Sequence, residues 1–285
     1  MKNGSVMRAV YEQPALARQD GLWMLNNKRW GRIGGVNGHG YNLTIGKDFL
    51  SDEHGYYGLL FDYGSNTVSG AAGSGEYDSY SLGLYAGNKN KPGSITGFVS
   101  YGLQANKGTA YLPVLGQTAE SGYDSKTLGI GVEYAYDLDY GKPEELWHVS
   151  PYARLNFTHY RQKAFREHGA GVFDRSFGSY SDNYAEGELG LSFDRSEGTG
   201  GYGIRLGYKR ILAGERQLME VCFAEDECGS LLPVRSWGEG RNHFVAAAYV
   251  RHDFSRKWSA GGSLSGDWSN GGREIGARLD LAYHF

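Results

Sequence analysis

Residues 275–285, with the sequence IGARLDLAYHF, alternate between large apolar side chains and small or polar ones. Leu279 and Leu281 share one parity with the other large apolar residues, whereas Arg278 and Asp280 share the opposite parity. Successive side chains of a β-strand point to opposite faces, so this alternation predicts a strand with one apolar and one polar face. Such a strand separates an apolar environment from a polar one.

Stretches with the same alternation recur along the chain. Residues 128–136 and 202–209 show it clearly, and clusters of Gly, Asn, Asp and Ser separate one stretch from the next. The predicted stretches lie near residues 28–37, 40–50, 55–67, 75–88, 93–107, 121–138, 146–163, 183–195, 200–213, 241–255, 257–269 and 272–285. The pattern therefore predicts an all-β chain with about twelve antiparallel strands.

The connections between these stretches alternate in length. Short connections are predicted near residues 51–54, 88–92, 139–145, 196–200 and 255–256. Long connections are predicted near residues 108–120, 164–182 and 214–240. Long loops at one end and short turns at the other are typical of bacterial outer-membrane barrels.

Composition excludes several classes of protein. The longest apolar run, residues 244–250, has 7 residues, whereas a membrane-spanning helix needs about 20. Aromatic residues make up 14% of the chain, which is too many for a disordered protein. A net charge of −3 gives no support for nucleic-acid binding.

The polar face of the strands distinguishes a membrane barrel from a soluble β-sandwich or lectin-like fold. Ionisable residues occupy this face in mid-strand, where a dry sandwich core would not tolerate them but a wet lumen would. The predicted lumenal charge network consists of Glu133, Arg154, Glu188, Arg205, Arg251 and Arg278. Aromatic residues also collect at the ends of the stretches, as in the girdles at membrane interfaces. We therefore predict a twelve-stranded antiparallel transmembrane β-barrel.

Residues 1–27 differ from the rest of the chain, because they are rich in residues that favour helices. Pro14 suits the first turn of an α-helix that ends near Asn26 and Asn27. The predicted division is a linker and helix over residues 1–27, placed in the lumen, and a barrel over residues 28–285. The segment lacks the apolar core of a signal peptide, so we expect a cytosolic protein or a piece of a larger precursor.

The two cysteines, Cys222 and Cys228, lie six residues apart. This spacing matches no metal-binding motif, and the expected arrangement is a disulfide that closes a surface loop, with free thiols as the alternative. No P-loop, dinucleotide-binding or nucleophile-elbow motif is recognised. The sequence thus predicts no metal and no cofactor.

Five short stretches resemble strand motifs of the autotransporter translocator (β) domain, the membrane component of type Va secretion. Residues 30–34 (WGRIG) resemble the opening strand of that family, residues 41–48 (YNLTIGKD) the second and residues 80–86 (YSLGLYA) the fourth. Residues 151–155 (PYARL) resemble a strand that begins Pro-Tyr-Ala, and residues 279–285 (LDLAYHF) resemble the terminal strand. The likeness covers essentially the whole chain.

The resemblance implies a place and a function. Such a domain lies in the outer membrane of a Gram-negative bacterium and enables its own N-terminal passenger to reach the cell surface. The implied partners are outer-membrane lipids, periplasmic chaperones, the Bam insertion machinery and the passenger itself, with no nucleic acid. Leu281, Tyr283 and Phe285 match the assembly signal of the terminal strand, although Phe285 would also suit a simple interfacial anchor.

Some members of the family cut off the passenger inside the barrel, with an Asn of the helix and acidic residues of the lumen. Asn26 and Asn27 are weak candidates for this role, together with Glu133, Glu186 and Glu188. The favoured alternative is that these acids pair with basic residues, and the pattern supplies Arg154, Arg205 and Arg251, with Arg8 or Arg18 of the lead. We therefore expect no enzyme activity.

A stand-alone porin or barrel enzyme is the competing hypothesis. His159, His168 and His243 lie near the predicted outer end, as do Asp174, Ser181 and Asp182, but no spacing marks them as a catalytic set. The 27 residues before the first predicted strand favour the translocator, since a porin has no need of them.

Overall fold

A computed structural model describes residues 9–11, 21–51, 55–88, 92–113, 116–140, 147–214, 218–223, 232–235, 238 and 240–285. The strands in this part of the chain are β1 (Gly21–Ile33), β2 (Val36–Ser51), β3 (Gly55–Gly70), β4 (Gly73–Asn88), β5 (Gly93–Leu112), β6 (Gln117–Tyr136), β7 (Leu138–Tyr140), β8 (Trp147–Gln162), β9 (Phe165–Arg166), β10 (Arg175–Phe177), β11 (Tyr180–Glu197), β12 (Gly200–Ala213), β13 (Leu218–Phe223), β14 (Leu232–Arg235), β15 (Asn242–Asp253), β16 (Trp258–Ser269) and β17 (Gly272–His284). A 3₁₀ turn lies at Gly171–Phe173. No helix within these ranges has the length and hydropathy required to span a bilayer.

Twelve of the described strands form a closed antiparallel barrel. Their order is β1 to β6, β8, β11, β12, β15, β16 and β17, and each pairs with its neighbours. The barrel closes where β1 pairs with β17 along its whole length, from Gly21 opposite His284 to Ile33 opposite Gly272. Closure leaves no exposed edge in the wall. The all-β prediction and the number of strands are therefore confirmed.

The two faces of the wall differ as the alternation predicts. Outward-facing Leu189 and Leu279 are 65% and 72% exposed, whereas inward-facing Ser100 and Thr127 are each 1% exposed. An apolar outer face and a polar interior reverse the arrangement of a water-soluble protein. This reversal is what a wall between acyl chains and a wet lumen requires.

The prediction for the first strand is wrong in its limits. β1 begins at Gly21, so residues 21–27 belong to the barrel and not to the predicted helix. Its inward Trp23 and Leu25 are 2% and 3% exposed, and the outward parity there is apolar too. With both faces apolar the alternation disappears from the sequence, and composition alone is typical of a helix.

The predicted strand over residues 28–37 also crosses a turn. Gly34 and Gly35 have positive φ angles of 56° and 88° and connect β1 to β2. Two glycines in this conformation make the tight hairpin that suits the twist of the flanking strands. Of the predicted helix, the structure describes residues 9–11, which are helical and buried.

All three predicted long loops differ from expectation. Residues 108–120 are mostly strand, because β5 and β6 continue to Leu112 and from Gln117. Residues 164–182 and 214–240 contribute a second sheet, in the order β14, β13, β10, β9. Beyond the membrane the outer face need not be apolar, so these strands lack the alternation of apolar and polar residues that predicts the other strands. Cys222 on β13 is disulfide-bonded, and Cys228 lies outside the described residues.

An aromatic stack joins this second sheet to the barrel. The ring of Phe165 lies 4.3 Å from that of Tyr123 on β6 and 4.4 Å from that of Phe177 on β10. Beside it, Arg175 donates two hydrogen bonds to Glu167, at 2.6 and 2.7 Å. The second sheet is thereby attached to one side of the barrel mouth.

Replacement of Gly46 by alanine is expected to cost about 1–3 kcal/mol of stability through overpacking. Gly46 on β2 lies directly opposite Trp23, and an added Cβ would collide with the indole ring. Gly38→Ala on the same strand is the control, because its Cβ would meet Val68 at an ordinary 3.5 Å. Urea titration of both variants in detergent, followed by tryptophan fluorescence, tests the difference, and equal midpoints would contradict it.

Candidate functional site

The lumen of the barrel has two unlike walls. One wall, on β1, β3, β4, β5 and β17, is apolar and packs against residues 9–11. Its buried members are Trp23, Leu25, Leu60, Tyr85, Phe98 and Ala282. Trp23 donates its indole N–H to the Tyr85 hydroxyl at 3.0 Å, and that hydroxyl donates to Asp48. The polar groups of this wall thus form a chain of hydrogen bonds.

The opposite wall carries a cluster of ionised side chains. Arg154 on β8 lies directly opposite Glu133 on β6 and opposite Glu188 on β11. Its Nη2 is 2.6 Å from Glu133 Oε2, and its Nη1 is 3.4 Å from Glu188 Oε2. Arg205 on β12 approaches Glu133 Oε2 at 3.3 Å. Strand register therefore places one guanidinium between two carboxylates, which is how buried charges are tolerated.

A second charged cluster lies nearer the end of the lumen that bears the long connections. Lys209 contacts the Asp267 carboxylate and lies 3.9 Å from Glu186 Oε2. His243 Nδ1 is 2.6 Å from Asp267 Oδ1, and its Nε2 is 3.1 Å from the Gly240 carbonyl oxygen. Lys209, His243 and Asp267 were not among the residues predicted for the lumenal network. The alternation of β12 already places Lys209 on the polar face, so its parity could have predicted that it lies in the lumen.

The predicted network is divided into local groups. Arg251 Nη2 lies 2.9 Å from Asp253 Oδ2, and Arg278 Nε lies 3.1 Å from Asp280 Oδ1. Each of these pairs joins residues two apart on one strand, which share a face. Among the described contacts Arg251 pairs with Asp253 on its own strand, and its pairing with the glutamates stays a prediction. Arg8 and Arg18 lie outside the described residues.

The structure does not bring together the residues considered for self-cleavage. Asn26 and Asn27 lie within β1, where they pair with Leu279 and Arg278 of β17. Asn26 has the outward parity and Asn27 the inward parity. Glu133 and the two β11 glutamates lie on strands five positions away around the barrel, in opposite directions. The expectation that these asparagines end a helix is wrong, because the strand ladder holds them on both sides.

The residues of the predicted terminal-strand signal lie on the outer face. Leu281 and Phe285 are 37% and 68% exposed. Tyr283 lies between them, with ring centroids 5.5 Å from Phe285 and 4.8 Å from Trp258 on β16. The Lys47 ammonium is 5.8 Å from the centre of the Phe285 ring. Aromatic rings beside a lysine are typical of the membrane interface.

The histidines considered for barrel-enzyme chemistry do not converge. His159 contacts Asn183, His168 pairs with Glu120 through the backbone, and His243 lies in the lumen with Asp267. Asp174 accepts from the Ala170 amide and Asp182 from the Tyr180 hydroxyl, and Ser181 lies on β11. Among the described residues, no group of three or more His, Cys, Asp or Glu side chains suits a metal ion.

Helical residues 9–11 lie between the two walls. The Tyr11 hydroxyl donates to Asn156 Oδ1 at 2.7 Å, and the Arg154 guanidinium carbon is 4.3 Å from the centre of the Tyr11 ring. Val10 is 0% exposed and belongs to the apolar cluster. Part of the chain that precedes β1 is therefore inside the barrel and contacts both walls.

Comparison with known proteins identifies the family. The family model of the autotransporter β-domain matches residues 22–265. The chain is similar in fold to the translocator domain of autotransporter NalP from Neisseria meningitidis, with 19% identity and a TM-score of 0.81 over 99% of this chain and 94% of that one. It is also similar to the β domain of the Bordetella autotransporter BrkA, with 15% identity and a TM-score of 0.72 over 94% of this chain and 100% of that one.

The fold is shared with channels as well. The CymD monoaromatic hydrocarbon channel has 11% identity and a TM-score of 0.59 over 98% of this chain and 92% of that one. No curated protein sequence matches the chain. These structural similarities establish the barrel fold, and the family match accounts for most of the sequence. This chain is an integral outer-membrane barrel that belongs to the autotransporter β-domain family.

Proposed function

We propose that this barrel serves its own polypeptide, by enabling an N-terminal passenger to reach the outer surface of a Gram-negative cell. The observation that carries the proposal is the location of residues 9–11. β1 begins at Gly21, at the end of the barrel opposite the long connections, yet residues 9–11 are buried in the lumen. Residues 9–11, which precede β1, therefore lie within the pore, on the route that an exported passenger would follow.

The orientation follows from the connections. The two longest, over residues 163–179 and 214–241, lie at one end and include the second sheet. In outer-membrane barrels the long loops are extracellular and the short turns periplasmic. Gly21 and His284 then lie at the periplasmic end. The outer face is in contact with lipid. Periplasmic chaperones and the Bam machinery assemble the barrel, and the Bam machinery recognises the C-terminal strand through Tyr283 and Phe285.

A stand-alone channel is the second candidate, and the fold similarity to CymD favours it. An open channel needs a continuous aqueous lumen. The apolar wall and residues 9–11 pack together inside this one, with Tyr11 2% exposed and Val10 0% exposed. This packing inside the lumen supports the translocator over the channel.

A reporter domain fused ahead of residue 1 tests the proposal. In a Gram-negative host, we expect protease added to intact cells to digest the reporter while the barrel stays folded and resistant. The matched control is the same fusion with β17 deleted, which cannot close its wall and should leave the reporter protected. A folded barrel with the reporter retained in the periplasm would contradict the proposal.

The same fusion tests self-cleavage. Asn26 and Asn27 are held in β1, and the acids are on other strands, so we propose a barrel without this activity. The purified fusion is expected to run at its full mass, and Asn26→Asp is expected to leave that mass unchanged. A C-terminal fragment whose sequence begins at Asn27, lost in the Asn26→Asp variant, would show the opposite.

A further inference from the structure

Tyr11 occupies a closely fitted site in the wall of the lumen. Its side chain is nearly inaccessible, at 2% exposure. The hydroxyl donates to Asn156 Oδ1 at 2.7 Å, and the ring lies 4.3 Å from the guanidinium carbon of Arg154. The ring of Phe98 meets it edge-on, with centroids 5.6 Å apart and planes at 72°. Hydrogen-bonded, cationic and aromatic contacts thus converge on one phenol.

A glycine makes room for this phenol. An added Cβ at Gly131 would collide with the Tyr11 hydroxyl and with the side chains of Asn156 and Phe98. Phe98, Gly131 and Asn156 are direct cross-strand partners on β5, β6 and β8. Strand register therefore builds the space. We name Phe98, Gly131, Arg154 and Asn156 the tyrosine socket.

The polar atoms of the socket are held by partners other than the tyrosine. Asn156 donates its Nδ2 to Glu186 Oε1 at 3.2 Å, which leaves Oδ1 to face the lumen as an acceptor. Arg154 is held by Glu133 and Glu188 on either side. The Tyr11 hydroxyl is the donor that this acceptor requires. Phenylalanine would fill the same volume but would leave the amide oxygen unpaired.

We propose that the tyrosine socket is an intramolecular binding site for a phenol, and that Tyr11 seated in it anchors residues 9–11 in the lumen, so that loss of this contact raises ion conductance through the barrel. The inference rests on the proposed function only in that the chain ahead of β1 occupies the lumen. It concerns the passenger-free chain. Ion conductance therefore tests it independently of surface export.

The first experiment measures conductance in planar lipid bilayers that contain the folded 285-residue chain. Tyr11→Phe is expected to raise the open fraction about fivefold, the equivalent of one buried hydrogen bond of about 1 kcal/mol. Tyr11→Ala is expected to raise it about 100-fold or more, because the aromatic contacts are lost as well. Heat-modifiable migration on gels shows that each barrel is folded. Conductance equal to that of the parent in both variants would overturn the proposal.

The second experiment restores the missing group. In Tyr11→Ala the socket is left empty, and p-cresol has the shape and hydroxyl of the lost side chain. We expect p-cresol to bind this variant in a saturable manner in a calorimetric titration, and toluene, which lacks the hydroxyl, to bind at least about fivefold more weakly. No saturable binding of p-cresol, or equal affinity for toluene, would overturn the phenol-binding claim.

The third experiment closes the socket from the barrel side. Gly131→Ala is expected to raise the open fraction as Tyr11→Ala does. In the double variant Gly131→Ala, Tyr11→Ala, p-cresol is expected to show no saturable binding, because the socket is closed. Gly122→Ala on the same strand is the matched control, since its Cβ would lie 3.9 Å from the Asn106 carbonyl oxygen and far from the socket. A Gly131→Ala barrel that is folded and remains closed would overturn the proposal.

Discussion

Replacement of Arg154 by alanine is expected to lower the free energy of unfolding by about 3–5 kcal/mol. The side chains of Glu133 and Glu188 are 7% and 8% exposed, and Arg154 lies between them. Removal of the guanidinium leaves two buried carboxylates, and among the described residues Arg205 is then the cation close to Glu133. Stranding a buried charge costs much more than an exposed ion pair contributes. Urea titration in lipid vesicles measures the loss.

Lys163→Ala is the matched control for this prediction. Lys163, just after β8, and Asp124 on β6 also form an ion pair, at 3.9 Å, but their side chains are 72% and 69% exposed. This loss should stay below about 1 kcal/mol. Repeating Arg154→Ala in the Tyr11→Ala background removes the contribution of the tyrosine socket. A combined Arg154→Met, Glu133→Gln and Glu188→Gln barrel should recover most of the stability. An Arg154→Ala loss as small as that of Lys163→Ala would show that the cluster is solvated.

Arginine in place of Leu264 is expected to cost about 2–4 kcal/mol in a bilayer. Leu264 lies half-way along β16, and its side chain is 65% exposed on the outer face. In water an exposed leucine is replaced at little cost. In the hydrocarbon of a membrane, an arginine at this position must either lose the hydration of its guanidinium or extend it towards an interface. The folded fraction in vesicles across a urea series measures the change.

Tyr57→Arg is the control for the membrane prediction. Tyr57 is 50% exposed on the same outer face but is the third residue of β3, near the periplasmic rim. Arginine there should cost about 0–1 kcal/mol, because the guanidinium reaches the headgroups. Equal small costs at both positions, with a parent protein that stays monomeric in buffer without detergent, would contradict a lipid-facing wall.

The sequence predicted most of the barrel, because lipid imposes the same demand on every strand. Each second residue must be apolar where the wall meets acyl chains, and this repeats on β6, β12 and β17 with little interruption. The prediction was wrong at the start of β1 and beyond the membrane. At Trp23 the lumenal face is apolar as well, and in the upper part of β5 the outer face is polar. In both places the two faces of the strand have similar polarity, so the alternation of apolar and polar residues that predicts a strand disappears.

The charges of the lumen were partly predictable. Parity placed Glu133, Arg154 and Arg205 on the inner face, and the structure brings these three together. Parity does not say which strands face each other at which height. A prediction from parity alone therefore paired Arg251 with the glutamates, whereas the structure shows a contact between Arg251 and Asp253, two residues away.

By itself the sequence determined the class of the protein: an antiparallel barrel whose alternate residues meet lipid, since alternation is a local property written within each strand. Only the tertiary structure decided the partners, because partners depend on register and closure. Arg154 is placed between two glutamates by the registers of three strands. Tyr11 meets Asn156 across a separation of 145 residues. No local sequence pattern predicts this contact, because the site that binds the Tyr11 phenol forms only when the barrel closes.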